Sequence, residues 1–236
     1  MALPVVNSSR YSTKLPSTGL DIEYRPYLVK EEKIMMVAME SKDSKAIIRA
    51  MKDVAQSCVL SDINIDSLTS FDLEWIFLQL RSKSVGEKAQ VQLKCKEEDC
   101  KAKTEVDIKL DEVSLTEIVQ NKVIELTDTI GLVMKYPTLV DMEGQDEETL
   151  KTPDGAFDII IKCLETIYDA DNTYSVIEEN HKDVRDFLDS LSSAQFKQIV
   201  DWISSTPSLV KNVEWNCTGC GKPNELELRG LQSFFT

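Results

Sequence analysis

Val213-Glu-Trp-Asn-Cys217-Thr-Gly-Cys220-Gly-Lys-Pro-Asn-Glu-Leu226-Glu-Leu228 decides how this chain folds. Val213, Trp215 and Cys217 share one parity, with Leu209 before them. Leu226 and Leu228 resume the pattern beyond a Gly/Pro turn, so two half-buried strands are predicted. Two cysteines stand at the turn between them. Strand, cysteine, short turn, cysteine, strand is the layout of a zinc knuckle: the turn's amides face the sulfurs and two thiolates close half of a tetrahedron. Gly219 and Gly221 suit such a turn because it calls for positive φ angles.

A second hairpin of the same plan lies upstream. Ala89, Val91, Leu93 and Cys95 alternate with Gln90, Gln92 and Lys94. The loop Lys96-Glu-Glu-Asp99 follows, and Cys100 leads into a return strand carrying Val106, Ile108 and Leu110. Two knuckles make one four-cysteine set, Cys95, Cys100, Cys217 and Cys220, as in zinc ribbons. Four soft ligands at ~2.3 Å satisfy Zn²⁺ and leave no open position, so the expected site is structural. Its binding free energy, ~10–16 kcal/mol, then counts toward folding. Cys217-x-x-Cys220 is the specific half of the signal. The four residues between Cys95 and Cys100 are looser, and the 116 residues separating the pairs exceed the usual ribbon spacing. Two other readings stay open: free thiols of a once-metallated ribbon, and a redox Cys-x-x-Cys. Against the redox reading, this motif closes a β-turn and does not open a helix, where thiolates are stabilised.

Outside the hairpins the period changes from two to near four. A helix is expected from about Lys30 to about Val59, broken near Ser41-Lys-Asp-Ser44, with Ile47, Ala50, Met51, Val54, Ala55 and Cys58 as one apolar stripe. A second starts near Thr69 and buries Phe71, Trp75, Phe77 and Leu78, with Asp72 at its positive end. Val123–Leu126 and Ile130–Tyr136 read as two further strands. Thr152-Pro153 opens a helix with Phe157, Ile160, Ile161, Leu164 and Tyr168 on one side. Another helix runs from about His181 to Leu191. Ser192-Ser-Ala-Gln195 is then a capping box for a last helix ending near Thr206-Pro207. Cys58 and Cys163 fall on or beside apolar stripes and are expected as packed thiols.

The fold class that follows is α+β, helical segments around a small antiparallel β subdomain of zinc-ribbon type. Residues 1–20, rich in Ser, Thr and Pro, read as a flexible N-terminal arm. An N-terminal strand and helices occupy 21–86. The β subdomain with both knuckles takes 87–136 together with 207–236, and 137–206 is a helical insert.

Composition excludes several functions. Among 236 residues the formal net charge is −14, which argues against nucleic acid as the main partner. One histidine, His181, rules out His-rich catalytic zinc, and its charged surroundings recommend no nucleophilic triad. None of the eight glycines falls in a phosphate-cradling pattern. Asp169–Asn180 begins like a calcium loop, but Tyr174 stands where Gly is needed and Asn180 where a bidentate Glu is needed, so a solvated loop is expected. Glu143-Gly-Gln-Asp-Glu-Glu148 reads as an acidic connector. No run approaches the ~18 apolar residues of a membrane span. Residues 1–10 lack the pattern of a secretory signal, so an intracellular, reducing site of synthesis is expected, where spaced cysteine pairs favour metal over disulfides.

Several short stretches carry a resemblance. Leu15-Pro-Ser-Thr-Gly19, Tyr24-Arg-Pro-Tyr-Leu-Val-Lys-Glu-Glu-Lys33, the Phe71–Leu80 helix with its following strands, Lys135-Tyr-Pro137, and Trp215-x-Cys217-x-x-Cys220 ending in Leu231-Gln-Ser-Phe-Phe235 resemble the T4-type bacteriophage baseplate hub subunit family. The resemblance implies a non-enzymatic tail-assembly protein, made in the host cytoplasm and acting in the virion at the tail baseplate hub. Its partners would be other hub or tail proteins in an oligomeric assembly, with no nucleic acid. The interface is expected on residues 1–28 and around Leu231–Phe235, with a core role as the other reading of the two aromatics there. The rival function is a zinc-ribbon adaptor of nucleic acid or transcription machinery, for which the first knuckle offers Lys94, Lys96, Lys101 and Lys103.

Overall fold

The computed structural model describes residues 8–41, 43–119, 122–142 and 152–234. The expected acidic connector at 143–148, Phe235 and the first seven residues lie outside them. Among the described residues the chain is α+β, with six α-helices and small antiparallel sheets. It divides into two compact units, Met1–Ile65 with Ser70–Thr116 and Pro207–Thr236, and Asp66–Thr69 with Glu117–Thr206. No helix among the described residues is long and apolar enough to cross a membrane.

In the first unit, β1 (Tyr11–Lys14) pairs with β2 (Asp21–Tyr24), placing Tyr11 opposite Tyr24 and Thr13 opposite Ile22. The described part of the expected arm is therefore a hairpin. Composition concealed it because few side chains anchor it. Leu15 is buried to 2% exposure, Ser17 donates through N and Oγ to the Asp72 carboxylate at 2.9 and 2.6 Å, and Trp75 Nε1 donates to Thr13 Oγ1 at 3.0 Å. The long helix is two helices, α1 (Val29–Ser41) and α2 (Ser44–Cys58), which pack on one another. Asp43 caps α2 by accepting from Lys45 N at 3.0 Å. The buried face of α2 includes Ala50, Met51, Val54, Ala55 and Cys58, the stripe read from the sequence.

Helix α3 (Ser70–Ser84) buries residues on nearly every side, among them Phe71, Leu73, Ile76, Phe77, Leu78 and Leu80, and is the central element of this unit. The two hairpins follow the expected parity except at Leu226, which is exposed. β3 (Lys88–Lys94) pairs with β4 (Lys103–Lys109), setting Val91 opposite Val106. β10 (Leu209–Asn216) pairs with β11 (Pro223–Arg229) and with the short β5 (Ser114–Leu115). Helix α3 packs against β10, while the 3₁₀ turn Leu231–Phe234 packs against β3 and buries Leu231 and Phe234. The described end of the chain is thus core, the second of the two readings of its aromatics.

The second unit is built on a four-stranded sheet in the order β6 (Val123–Glu125), β7 (Gly131–Met134), β8 (Leu164–Tyr168), β9 (Thr173–Ser175). Residues 117–136, expected with the β subdomain, lie here because β6 and β7 pair onward to β8. Three helices complete the unit: α4 (Pro153–Cys163), α5 (His181–Asp189) and α6 (Ser193–Ser204). Thr152 caps α4 and the Ser192/Gln195 capping box opens α6, both as read from the sequence. Leu164 and Tyr168, expected on the α4 stripe, belong to a strand instead. Leu164-Glu-Thr-Ile-Tyr168 is rich in β-branched and aromatic side chains, and pairing with β7 outweighs the helical spacing of its apolar residues. Tyr136 stacks on Trp202 at 4.9 Å and Phe157 on Phe196 at 5.3 Å, over a core that includes Leu132, Met134 and Ile199.

Candidate metal centre

The two knuckles meet. Cys95 and Cys100 come from the β3–β4 turn, Cys217 and Cys220 from the β10–β11 turn, and the four sulfurs lie within 4.8 Å of one another. Across the knuckles, Cys95 Sγ stands 3.7 Å from Cys220 Sγ and Cys100 Sγ stands 3.7 Å from Cys217 Sγ. All four thiols are free, and these separations are far beyond the ~2.05 Å of a disulfide. Four sulfurs held ~2.3 Å from one ion at tetrahedral angles stand about 3.8 Å apart. The donor set therefore fits a four-coordinate thiophilic metal in both chemistry and spacing.

The turns supply amides to the sulfurs. Gly219 N–H reaches Cys217 Sγ at 3.3 Å. Backbone N–H groups of Cys220 and Gly219 pull the Cys217 thiol down to about 6. The Ala102 amide acts the same way on Cys100, but burial and the neighbouring sulfurs push that thiol up to about 12. Burial and the sulfurs of Cys95 and Cys217 likewise raise Cys220, against the Lys222 amide. Like charges this close disfavour one another, and a cation held among the sulfurs would favour the thiolate form.

Residues between the cysteines hold the two turns together. Asn224 is buried and accepts from Lys96 N at 2.9 Å while its Nδ2 donates to Lys222 O at 3.0 Å and faces Cys95 Sγ at 3.8 Å. Thr104 Oγ1 accepts from Thr218 N at 3.1 Å, and Lys222 Nζ pairs with Glu97 at 2.7 Å across the knuckles. Reading strands and cysteines missed Asn224 and Thr104. Their signal was a polar residue at an inward parity position beside each turn.

Glycine serves the turn in two different ways. Gly221 has φ +71°, as expected of it. Gly219 is needed for space: a Cβ there would sit 2.6 Å from Ala102 Cβ and 3.5 Å from Cys100 Sγ. Gly219→Ala should therefore push the knuckles apart and cost about 1–3 kcal/mol, an overpacking penalty. That corresponds to a melting-temperature drop of roughly 3–10 °C for a chain of this size. The double variant Gly219→Ala/Ala102→Gly should recover most of the loss in a thermal melt, which a simple backbone effect at residue 219 would not allow.

The other singled-out residues stay apart from this cluster. Cys58 and Cys163 are packed thiols, pushed up by burial to about 11 and about 12. His181 is exposed at the start of α5, with Nε2 3.6 Å from Asp158 Oδ1. Asp169 opens the β8–β9 turn, where it accepts from Asp171 N and Asn172 N at 2.8 Å and from the Tyr174 hydroxyl at 3.0 Å. Its oxygens are used locally to close an exposed hairpin turn.

Comparison with known proteins places the chain. No curated protein and no solved structure matches it. The family model described as T4 bacteriophage base plate protein matches residues 8–236, and that span takes in the N-terminal hairpin, both units and all four clustered cysteines. Nearly the whole chain is covered, and the protein belongs to that baseplate family.

Proposed function

We propose that this protein is a structural and assembly component of the baseplate hub, acting by protein–protein recognition without catalysis of its own. In this reading Cys95, Cys100, Cys217 and Cys220 hold one structural Zn²⁺, and the two hairpins form a zinc-ribbon subdomain tied together by the ion. The convergence of the four sulfurs at 3.7 Å across the knuckles carries the metal half of the proposal. Membership of the baseplate family supports the assembly half.

Recognition needs surface for partners. Val29, Ile34, Met36, Val37 and Met39 stand exposed around α1, apolar side chains gathered on one element, of the kind that mark protein interaction sites. The net charge of −14 keeps free subunits apart until such faces are covered. The adaptor alternative gains little around the second knuckle, where Lys222 is paired with Glu97. Quantitative mass spectrometry of purified tails tests the placement. The chain should be present at a fixed stoichiometry with the other baseplate proteins. Presence during assembly and absence from finished tails would replace the hub role with a transient one.

A further inference from the structure

The second unit carries a groove of about 320 Å³ lined from the β8–β9 hairpin and α5. Ile130, Ile167, Val184 and Phe187, with the rings of Tyr168 and Tyr174, make its lining predominantly apolar. Every charged residue in that lining is acidic: Asp169, Glu179 and Asp183. Asp169 is committed to its own turn, whereas Glu179 and Asp183 are exposed and form no ion pair among the described residues. Between the lining residues Tyr174 and Glu179 stands Ile177, which at 88% is the most exposed large apolar side chain of the described chain. A Cβ at Gly131 would meet the hydroxyl end of the Tyr168 ring, so a side chain there would have to displace that ring from its place over β7.

We propose that this groove docks a segment of a neighbouring protein in which a Lys or Arg is flanked by aliphatic or aromatic side chains. The volume is at the small end of the ~300–1,000 Å³ typical of ligand clefts, enough for one or two side chains. The apolar lining takes the flanking side chain and the stem of the basic one. The uncommitted carboxylates of Glu179 and Asp183 take its charge, and the two tyrosine rings favour a cation beside them. An acidic or phosphate-bearing partner is repelled by the same groups. A divalent cation is poorly served, because the Asp169 oxygens already accept hydrogen bonds and its carboxylate does not converge with those of Glu179 and Asp183 into one ligand set. Only the identity of the partner as another tail protein rests on the assembly role proposed above; the groove's preference for a basic, apolar segment does not.

The test titrates the full chain, labelled with ¹⁵N, with two peptides: acetyl-Leu-Arg-Leu-Lys-Leu-amide and its counterpart with Glu in place of both basic residues. The basic peptide should shift amide resonances around Ile130, Ile167–Asp169 and Tyr174–Phe187, and the acidic one should not. The double variant Glu179→Gln/Asp183→Asn should bind the basic peptide about tenfold more weakly while melting within about 4 °C of the parent, since both side chains are exposed and only Asp183 gives up a charge at the start of α5. Equal binding of both peptides, shifts centred elsewhere, or no shift at millimolar peptide would overturn the proposal. None of these readouts involves a tail, so failure here leaves the baseplate role standing, and absence of the chain from tails would leave this result standing.

Discussion

Cys217→Ser is expected to unfold the first unit at physiological temperature. Serine stays protonated at neutral pH and cannot replace a thiolate, so the ion would keep three ligands and an open position. Structural zinc supplies ~10–16 kcal/mol to folding, comparable with the ~5–15 kcal/mol of net stability of an ordinary domain. Losing even a third of it shifts the melting temperature by roughly 10–20 °C in a chain of this length. Circular dichroism should show the loss, and a strong chelator should reproduce it in the unmodified protein. Added zinc should then restore the chelated protein and leave the variant unfolded. Cys163→Ala provides the contrast. That thiol is buried to 1% exposure away from the cluster, so its removal should cost only the ~1–2 kcal/mol of a small cavity and leave metal content unchanged. Equal damage from both variants would mean that packing, not a metal, holds the knuckles.

Arg25→Ala should be the next most damaging change, at about 3–5 kcal/mol. Its guanidinium donates to Glu31 Oε1 at 3.0 Å, to Ser57 O at 2.9 Å and to Pro26 O at 3.0 Å. Glu31 is 1% exposed and also accepts from Leu28 N at 2.8 Å. Removing the cation leaves that carboxylate buried without its main partner, the costly way to break such a pair. The effect depends on pH with a definite sign. Burial alone would raise the Glu31 carboxyl, but the Arg25 hydrogen bond, the Leu28 amide and Lys30 hold it below the ordinary carboxylate range. A depressed folded value contributes stability that is complete above the ordinary carboxyl value of ~4.3 and is lost as pH falls through the lower folded value. Denaturant titrations should therefore find the Arg25→Ala deficit in full at neutral pH and shrinking in strong acid. A deficit that is the same at both would show that lost packing of the arginine stem, not the ion pair, sets it.

That pair lies inside Tyr24-Arg-Pro-Tyr-Leu-Val-Lys-Glu-Glu-Lys33, one of the stretches that carried the family resemblance. Short motifs were informative where a local rule forces the structure. The knuckle hairpins were legible because parity and cysteine position agree, and the helix caps at Thr152 and Ser192 because a hydroxyl at that place has an amide to satisfy. What stayed hidden depends on partners remote in sequence. Ser17 finds Asp72 across 55 residues, and nothing in the Ser/Thr-rich composition of 1–20 announces it. Leu164–Tyr168 keeps helical spacing and becomes a strand only because β7 is there to pair with it. Gly219 was attributed to backbone conformation, but its reason is Ala102, more than a hundred positions away. The site itself was legible as four cysteines; the scaffold that aims them, Asn224 and Thr104 above all, was not, since a reading of apolar parity passes over a polar residue at an inward position.

The central claim is that two distant thiol pairs close on one ion. Zinc K-edge X-ray absorption on protein purified without chelators, together with metal content, measures this directly. One zinc per chain with four sulfur neighbours at ~2.3 Å is the expected result. Protein that is folded yet metal-free, or a shell containing nitrogen or oxygen in place of any of the four sulfurs, would contradict it.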